Sequence, residues 1–255
     1  MLEKINKIIY LNNLKRSINK NKINNLYKEY FFLRNTPYSK LSKKGKKHFN
    51  KFGIENKDIS VLKYTNYSQQ LARALKNYIS INKIFKDYED ILDLGCGVGY
   101  FLYVNKFFKK RITGIDWLKA NAYYGRDSIN FIKKYNKILN IKPINYKIVK
   151  NFRPNIKKKF DLITAFSANF DGDYRNRYKF VPWNFDNYKS FFDKIEKYLA
   201  PNGKFLIKFN EKWEYKKGFY INKKFEKFLI KKKLWYGKGI VTNLKVNEEI
   251  LGLFH

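Results

Sequence analysis

The stretch DILDLGCGVGYFL, Asp90 to Leu102, places three glycines, Gly95, Gly97 and Gly99, between two apolar runs. Glycine lets backbone approach a neighbour closely and adopts dihedrals other residues avoid. Alternate glycines directly after an apolar strand and before an apolar helix therefore read as a cradle for a small molecule. The third glycine or alanine of the dinucleotide fingerprint would fall at position 100, which is Tyr100. The pattern present is D-x-G-x-G-x-G, starting at Asp93.

Outward from the loop, strands alternate with helices, which implies βα units and a mainly parallel sheet. Strands are expected at Ile91–Leu94, Ile112–Ile115, Tyr146–Val149, Phe160–Phe166 and Lys204–Phe209. Helices are expected at Tyr100–Phe108, Lys119–Leu139 and Asn187–Leu199, the last ended by the Pro201 and Gly203 of APNG. The tail adds a helix at about Asn222–Lys231 and two strand-like runs, LWYGKGIVTNL and EEILGLFH. Upstream, Tyr67–Ser80 carries Leu71, Leu75, Tyr78 and Ile79 at helical spacing and is expected to pack on the main domain. Residues 1–60 read as a basic, helical N-terminal extension and residues 61–255 as the main domain.

Composition bounds the function. The chain has 255 residues, 44% hydrophobic and 19% aromatic, enough for one full α/β domain with a packed core. Its single cysteine, Cys96, excludes an internal disulfide and a cysteine-rich metal cage, and no metal site is expected. No run approaches the roughly 20 apolar residues of a bilayer span, and charges interrupt every apolar run near the start, so a soluble, cytoplasmic protein is expected. The net charge of +34 invites a nucleic-acid reading. Lysine carries nearly all of it, though, and arrives with abundant Asn, Ile, Tyr and Phe, the products of A/T-rich codons.

The second strand, ITGIDW, ends in Asp116, about 20 residues beyond the loop, the separation that sets an acid against ribose hydroxyls. A carboxylate accepts both hydrogen bonds of a cis diol. With this acid in place, the loop resembles the first motif of the class I S-adenosylmethionine-dependent methyltransferases. KFDLITAFSANFDG, Lys159 to Gly172, resembles their fourth strand, and KIEKYLAPNGKFLIKFN, Lys194 to Asn210, their following helix, turn and fifth strand. The resemblance covers about residues 60–255. It implies a Rossmann-like, doubly wound, mainly parallel seven-stranded sheet, with S-adenosylmethionine as cofactor. The cofactor contacts it implies are Asp93, Leu94, Gly95, Cys96, Gly97, Gly99, Asp116, Trp117 beside the adenine, Asn151 after the third strand and Phe166 at the exit of the fourth.

A dedicated base is not required by sulfonium chemistry. If one exists, the segment Ser167–Phe185 offers Asp171 and Asp173, with Asn169 as an orienting group and Tyr174, Trp183 and Phe185 as walls; a solvated loop is the alternative for the acids. The two histidines, His48 and His255, stand in the extension and at the last position. Methyltransferases of exocyclic base amines carry an Asn/Asp-Pro-Pro-Tyr-type tetrad after the fourth strand, where this chain has Ser167-Ala168-Asn169-Phe170. The expected acceptor is therefore a hydroxyl or other heteroatom of a small molecule or saccharide precursor. The alternatives are an RNA methyltransferase using basic, aromatic stretches such as NLYKEYFFLRN, and a non-catalytic cofactor-binding module.

Overall fold

A computed structural model describes residues 2–29, 47, 67–119, 126–166, 172–174, 180–208, 223–237 and 239–254. Within them, α1 (Leu2–Arg16), α2 (Lys20–Glu29) and α3 (Tyr67–Ile84) precede β1 (Asp90–Leu94), α4 (Tyr100–Phe107), β2 (Arg111–Asp116), α5 (Arg126–Ile138) and β3 (Ile144–Asn145). There follow β4 (Phe160–Ala165), β5 (Gly172–Tyr174), β6 (Phe180–Pro182), α6 (Phe185–Ile195), β7 (Leu199–Lys208), α7 (Lys223–Lys231), β8 (Trp235–Gly237), β9 (Ile240–Thr242) and α8 (Glu248–Gly252).

Seven strands form one sheet in the order β3-β2-β1-β4-β7-β9-β8. Its pairs are parallel except for β9, antiparallel to both β7 and β8. This is the doubly wound, mainly parallel seven-stranded sheet the sequence implies. The order turns from β1 to β2 on one side and to β4 on the other, so β1 flanks the point where α/β sheets bind ligands. Helices cover both faces, which is why Ile91, Leu92 and Leu94 of β1 and Leu162, Ile163 and Ala165 of β4 are all buried, whichever face they point to. One face carries Ile91, Leu162 and Leu206 under α3, α4 and α5; the other carries Leu92, Ile163 and Phe205 under α6 and α7.

The N-terminal helices belong to the first of these cores. Leu14, Ile18, Ile23 and Leu26 are buried with Leu71 and Leu75 of α3 and Phe131 of α5. Lys134 of α5 pairs with Glu29 of α2, and the Ser17 hydroxyl bonds that of Tyr103 on α4 at 2.5 Å.

Three local expectations are corrected. Tyr146–Val149 is not a strand: β2 runs out at Asp116, so after Asn145 the chain donates one further bond, Tyr146 N–H to the Asp116 carbonyl at 2.9 Å, and then has nothing to pair with. The Tyr146 hydroxyl instead accepts from Arg153 N–H at 2.8 Å, folding the segment back. APNG does not separate helix from strand. The helix ends earlier, in a 3-10 turn at Glu196–Tyr198, and Ala200–Gly203 form a bulge inside β7, between the pairs Phe160 with Leu199 and Leu162 with Lys204. EEILGLFH begins as helix α8 and not as a strand, because the Asn247 side chain accepts from Ile250 N–H at 2.8 Å and caps it.

Since α1 shares the main core, Leu14→Ala is expected to lower the stability of the whole unit by about 2–5 kcal/mol, as for other buried leucines. Urea unfolding followed by far-UV circular dichroism should show a single, earlier transition; an unmoved main transition would mean that α1 melts separately.

Candidate functional site

The site is built where β1 and β2 end. Gly95 N–H and Cys96 N–H both donate to the Ile115 carbonyl, at 2.8 and 3.1 Å, hooking the loop over the end of β2. Asp116 completes the hook: its Oδ2 accepts from Gly97 N–H at 2.5 Å and its Oδ1 from Trp117 N–H at 2.6 Å. Each oxygen keeps a further lone pair for an incoming donor.

The glycines have different reasons. At Gly97 φ is +55°, and among the described residues an added Cβ would meet only Asp116 Oδ2, at 3.9 Å, so within them the space over this residue is open towards the carboxylate. At Gly99, the left-handed cap of α4 with φ +79°, an added Cβ would lie 1.8 Å from Ile141 Cδ1. The demand at Gly99 is internal packing. Gly114, on β2 beneath the loop, is equally constrained: a Cβ there would meet Leu102 at 2.4 Å and Cys96 Sγ at 2.8 Å.

Asp93 lies under the loop, 4% exposed, on the face of β1 that bears Ile91. Thr164, its register partner on β4, donates its hydroxyl to Asp93 Oδ1 at 2.7 Å. Burial pushes the Asp93 carboxyl up to about 7, the Thr164 bond opposes the shift and the Asp116 charge adds to it. Asp116 is raised too, by burial against the pull of the Gly97 and Trp117 N–H groups. Burial and the same two acids raise the Cys96 thiol, which disfavours its thiolate.

The structure thus brings Asp93, Leu94, Gly95, Cys96, Gly97, Asp116 and Trp117 to one end of the sheet. Lys147 lies over the Trp117 ring, 4.8 Å from its centroid. Phe166 leaves β4 next to them, packed edge-on to Phe101 and stacked near Phe254. Asn151 is not joined to this group; it is exposed, and its Oδ1 accepts from Ser190 of α6 at 3.2 Å. Asn169 and Asp171 lie outside the described residues, as do His48 and His255. Asp173 and Tyr174 fall on β5, which pairs with β6 as an antiparallel hairpin, so this part is not an open loop. Trp183 and Phe185 are not walls of a pocket: Trp183 is buried against Tyr188 and Phe191, and Phe185 packs on Phe225 and Phe228.

Three residues at the site were not anticipated. Thr164 is a hydroxyl among the buried apolar Leu162, Ile163 and Ala165, and that contrast is its only signal in the sequence. Asn145 ends β3 opposite Asp116, and its Oδ1 accepts from Leu118 N–H at 2.9 Å, fixing the turn after Trp117. Gly114 carries no signal beyond its position in a strand, where glycine marks a close approach.

No family model matches the sequence, and no curated protein matches it. Solved structures do. The chain is similar to DesVI of Streptomyces venezuelae, at 16% identity over 58% of this chain and 55% of that one, with a TM-score of 0.41. It is similar to an S-adenosylmethionine-dependent methyltransferase of Clostridium acetobutylicum, at 18% identity over 60% and 54%, with a TM-score of 0.39. The PH0226 protein of Pyrococcus horikoshii matches at 17% identity over 75% and 84%, with a TM-score of 0.43. The chain spans about half the length of the first two.

An acid held protonated by burial stabilises the folded chain at low pH, and this contribution is lost as pH rises through its folded pKa. Asp93 therefore predicts a fall in stability from about pH 4 to about pH 7, reinforced by Asp116. Urea midpoints across that range should show the slope, and Asp93→Asn should flatten it.

Proposed function

We propose that the protein is a methyltransferase that binds S-adenosylmethionine across the ends of β1 and β2 and methylates a hydroxyl or other heteroatom of a small molecule or saccharide precursor. The observation that carries this reading is the pair of acids around the glycine loop. Asp116, at the end of β2, faces the open space over Gly97, while Asp93 sits buried beneath the loop. The donor set fits the cofactor's chemistry: no cationic side chain is hydrogen-bonded to either carboxylate in the described structure, and the ligand brings a diol and an ammonium.

Each residue then has a task. Asp116 accepts the ribose hydroxyls with the lone pairs that Gly97 and Trp117 leave unused. Trp117, next along the chain, offers a ring face to the adenine. Asp93 balances the ammonium, directly or through water. The N-terminus of α4 lies behind the loop, favourable to a carboxylate. S-adenosylmethionine supplies a methyl group on a cationic sulfur, already an activated leaving group. The protein's part is accordingly in-line positioning, with removal of the acceptor's proton where the acceptor needs it. Ser167-Ala168-Asn169-Phe170, in place of the amine-directed tetrad, supports an acceptor other than a base amine.

Asp116→Ala should weaken cofactor binding more than about tenfold, the loss of charged-acceptor hydrogen bonds worth roughly 1.5–3 kcal/mol. Titration calorimetry measures it, with circular dichroism to confirm the fold; unchanged affinity would remove Asp116 from the site. A bound cation should also draw Asp93 into its charged form. Cofactor binding should then release a proton below about pH 7 and strengthen as pH rises towards that value. Calorimetry in two buffers of different ionisation heat counts the proton, and Asp93→Asn should abolish its release. The acceptor is found by methyl transfer from labelled cofactor into lysate fractions: label in glycans or small metabolites supports the proposal, and label in RNA overturns its acceptor.

A further inference from the structure

The outer side of α1 exposes two adjacent isoleucines where a surface helix is ordinarily polar. Leu14 turns inward to the core, yet Ile8 is 59% exposed and Ile9 49%. Tyr10, 40% exposed, packs edge-on to Phe108 at 5.2 Å, and the next ring, Phe107, is 36% exposed. These four residues are most of the large exposed apolar side chains among the described residues, and the ring contacts join α1 to the end of α4 in one patch. A joined apolar patch of this kind marks an interaction surface.

The charge around it selects the partner. Lys7, Lys106 and Lys109 are exposed beside the patch. Helix α1 carries one acid, Glu3, against Lys4, Lys7, Lys15 and Arg16, and residues 100–111 carry none. A second copy of a chain with net charge +34 would bring like charge to a lysine-bordered surface, which disfavours self-association. Nucleic acid would satisfy the lysines but leave the aliphatic Ile8 and Ile9 side chains without a partner, because bases stack on aromatic faces. Apolar knobs inside a cationic border match a lipid surface, where the knobs enter the acyl boundary and the lysines meet the headgroups. No helix among the described residues is long and apolar enough to cross a membrane, so α1 would lie on the surface.

We infer that the patch formed by Ile8, Ile9, Tyr10 and Phe107 docks the protein on an anionic membrane surface. The docking is peripheral and independent of the cofactor site, so it stands whether or not the methyltransferase reading holds.

The test is sedimentation of the full chain with vesicles of phosphatidylcholine alone, or containing roughly 30 mol % phosphatidylglycerol, at low and high salt. The wild type should sediment with the anionic vesicles and not with the neutral ones. Ile8→Ser/Ile9→Ser should weaken that partition by about tenfold at constant charge, with an unchanged melting temperature. Lys106→Glu/Lys109→Glu, which keeps the apolar patch, should weaken it at low salt. Partition of the isoleucine variant equal to wild type overturns the inference, because lysine adsorption alone would then explain binding. A fall in its melting temperature also overturns it, by showing that the two side chains are covered in solution. So does a dimer, seen by analytical ultracentrifugation, that the same substitutions dissolve, or an RNA affinity that they reduce.

Discussion

The organisation of the molecule depends on how the central strand ends. β1 is covered on both faces and paired on both edges, so its last peptide groups have no water to turn to and must find protein partners. They find them on β2: the Ile115 carbonyl takes two N–H groups of the loop and the Asp116 carboxylate takes a third. One acid thereby closes the turn while leaving lone pairs directed at the space above it. The same hook requires β2 to come close, which is why Gly114 cannot carry a side chain. It also requires α4 to start at once, which places Gly99 hard against Ile141.

Beneath this turn, a carboxyl and a hydroxyl are paired inside the apolar sheet. Burying Asp93 is unfavourable for its charged form, and the Thr164 hydroxyl offsets only part of that. A fold optimised for stability alone would place an aliphatic residue at this position. Its place directly under the glycine loop is the kind of local conflict that marks a candidate functional position.

Much of this was legible in the sequence because its causes are local. Glycines after an apolar run, and an acid at the end of the next strand, identify the loop and Asp116 without knowledge of strand order. The mainly parallel sheet follows from alternating elements, and its seven strands from the resemblance of the loop and later motifs to class I methyltransferases. What was not legible depends on register. Thr164 matters only because β4 sets it opposite Asp93. The length of β3 is decided by where its neighbour β2 stops, and the apolar alternation of Tyr146–Val149 continues past that point. Pro-Asn-Gly after a helix reads as a turn in isolation and becomes a bulge only against β4. The run EEILGLFH is too short for periodicity to separate helix from strand, and Asn247 decides it. Trp183 looks like a pocket wall until α6 is seen to turn it into the second core.

The two N-terminal helices also set an order of events during synthesis. Their apolar residues lie in a core whose other walls come much later: Tyr103 meets Ser17 across 86 positions, and Lys134 meets Glu29 across 105. On the ribosome, Leu14, Ile18, Ile23 and Leu26 emerge before the walls of their core, which are complete only once α3, α4 and α5 have followed. This part of the chain must wait in a solvated state, and its dense lysines keep it from associating with other nascent chains meanwhile. The early helices thus acquire their packing partners only after α5 has been made.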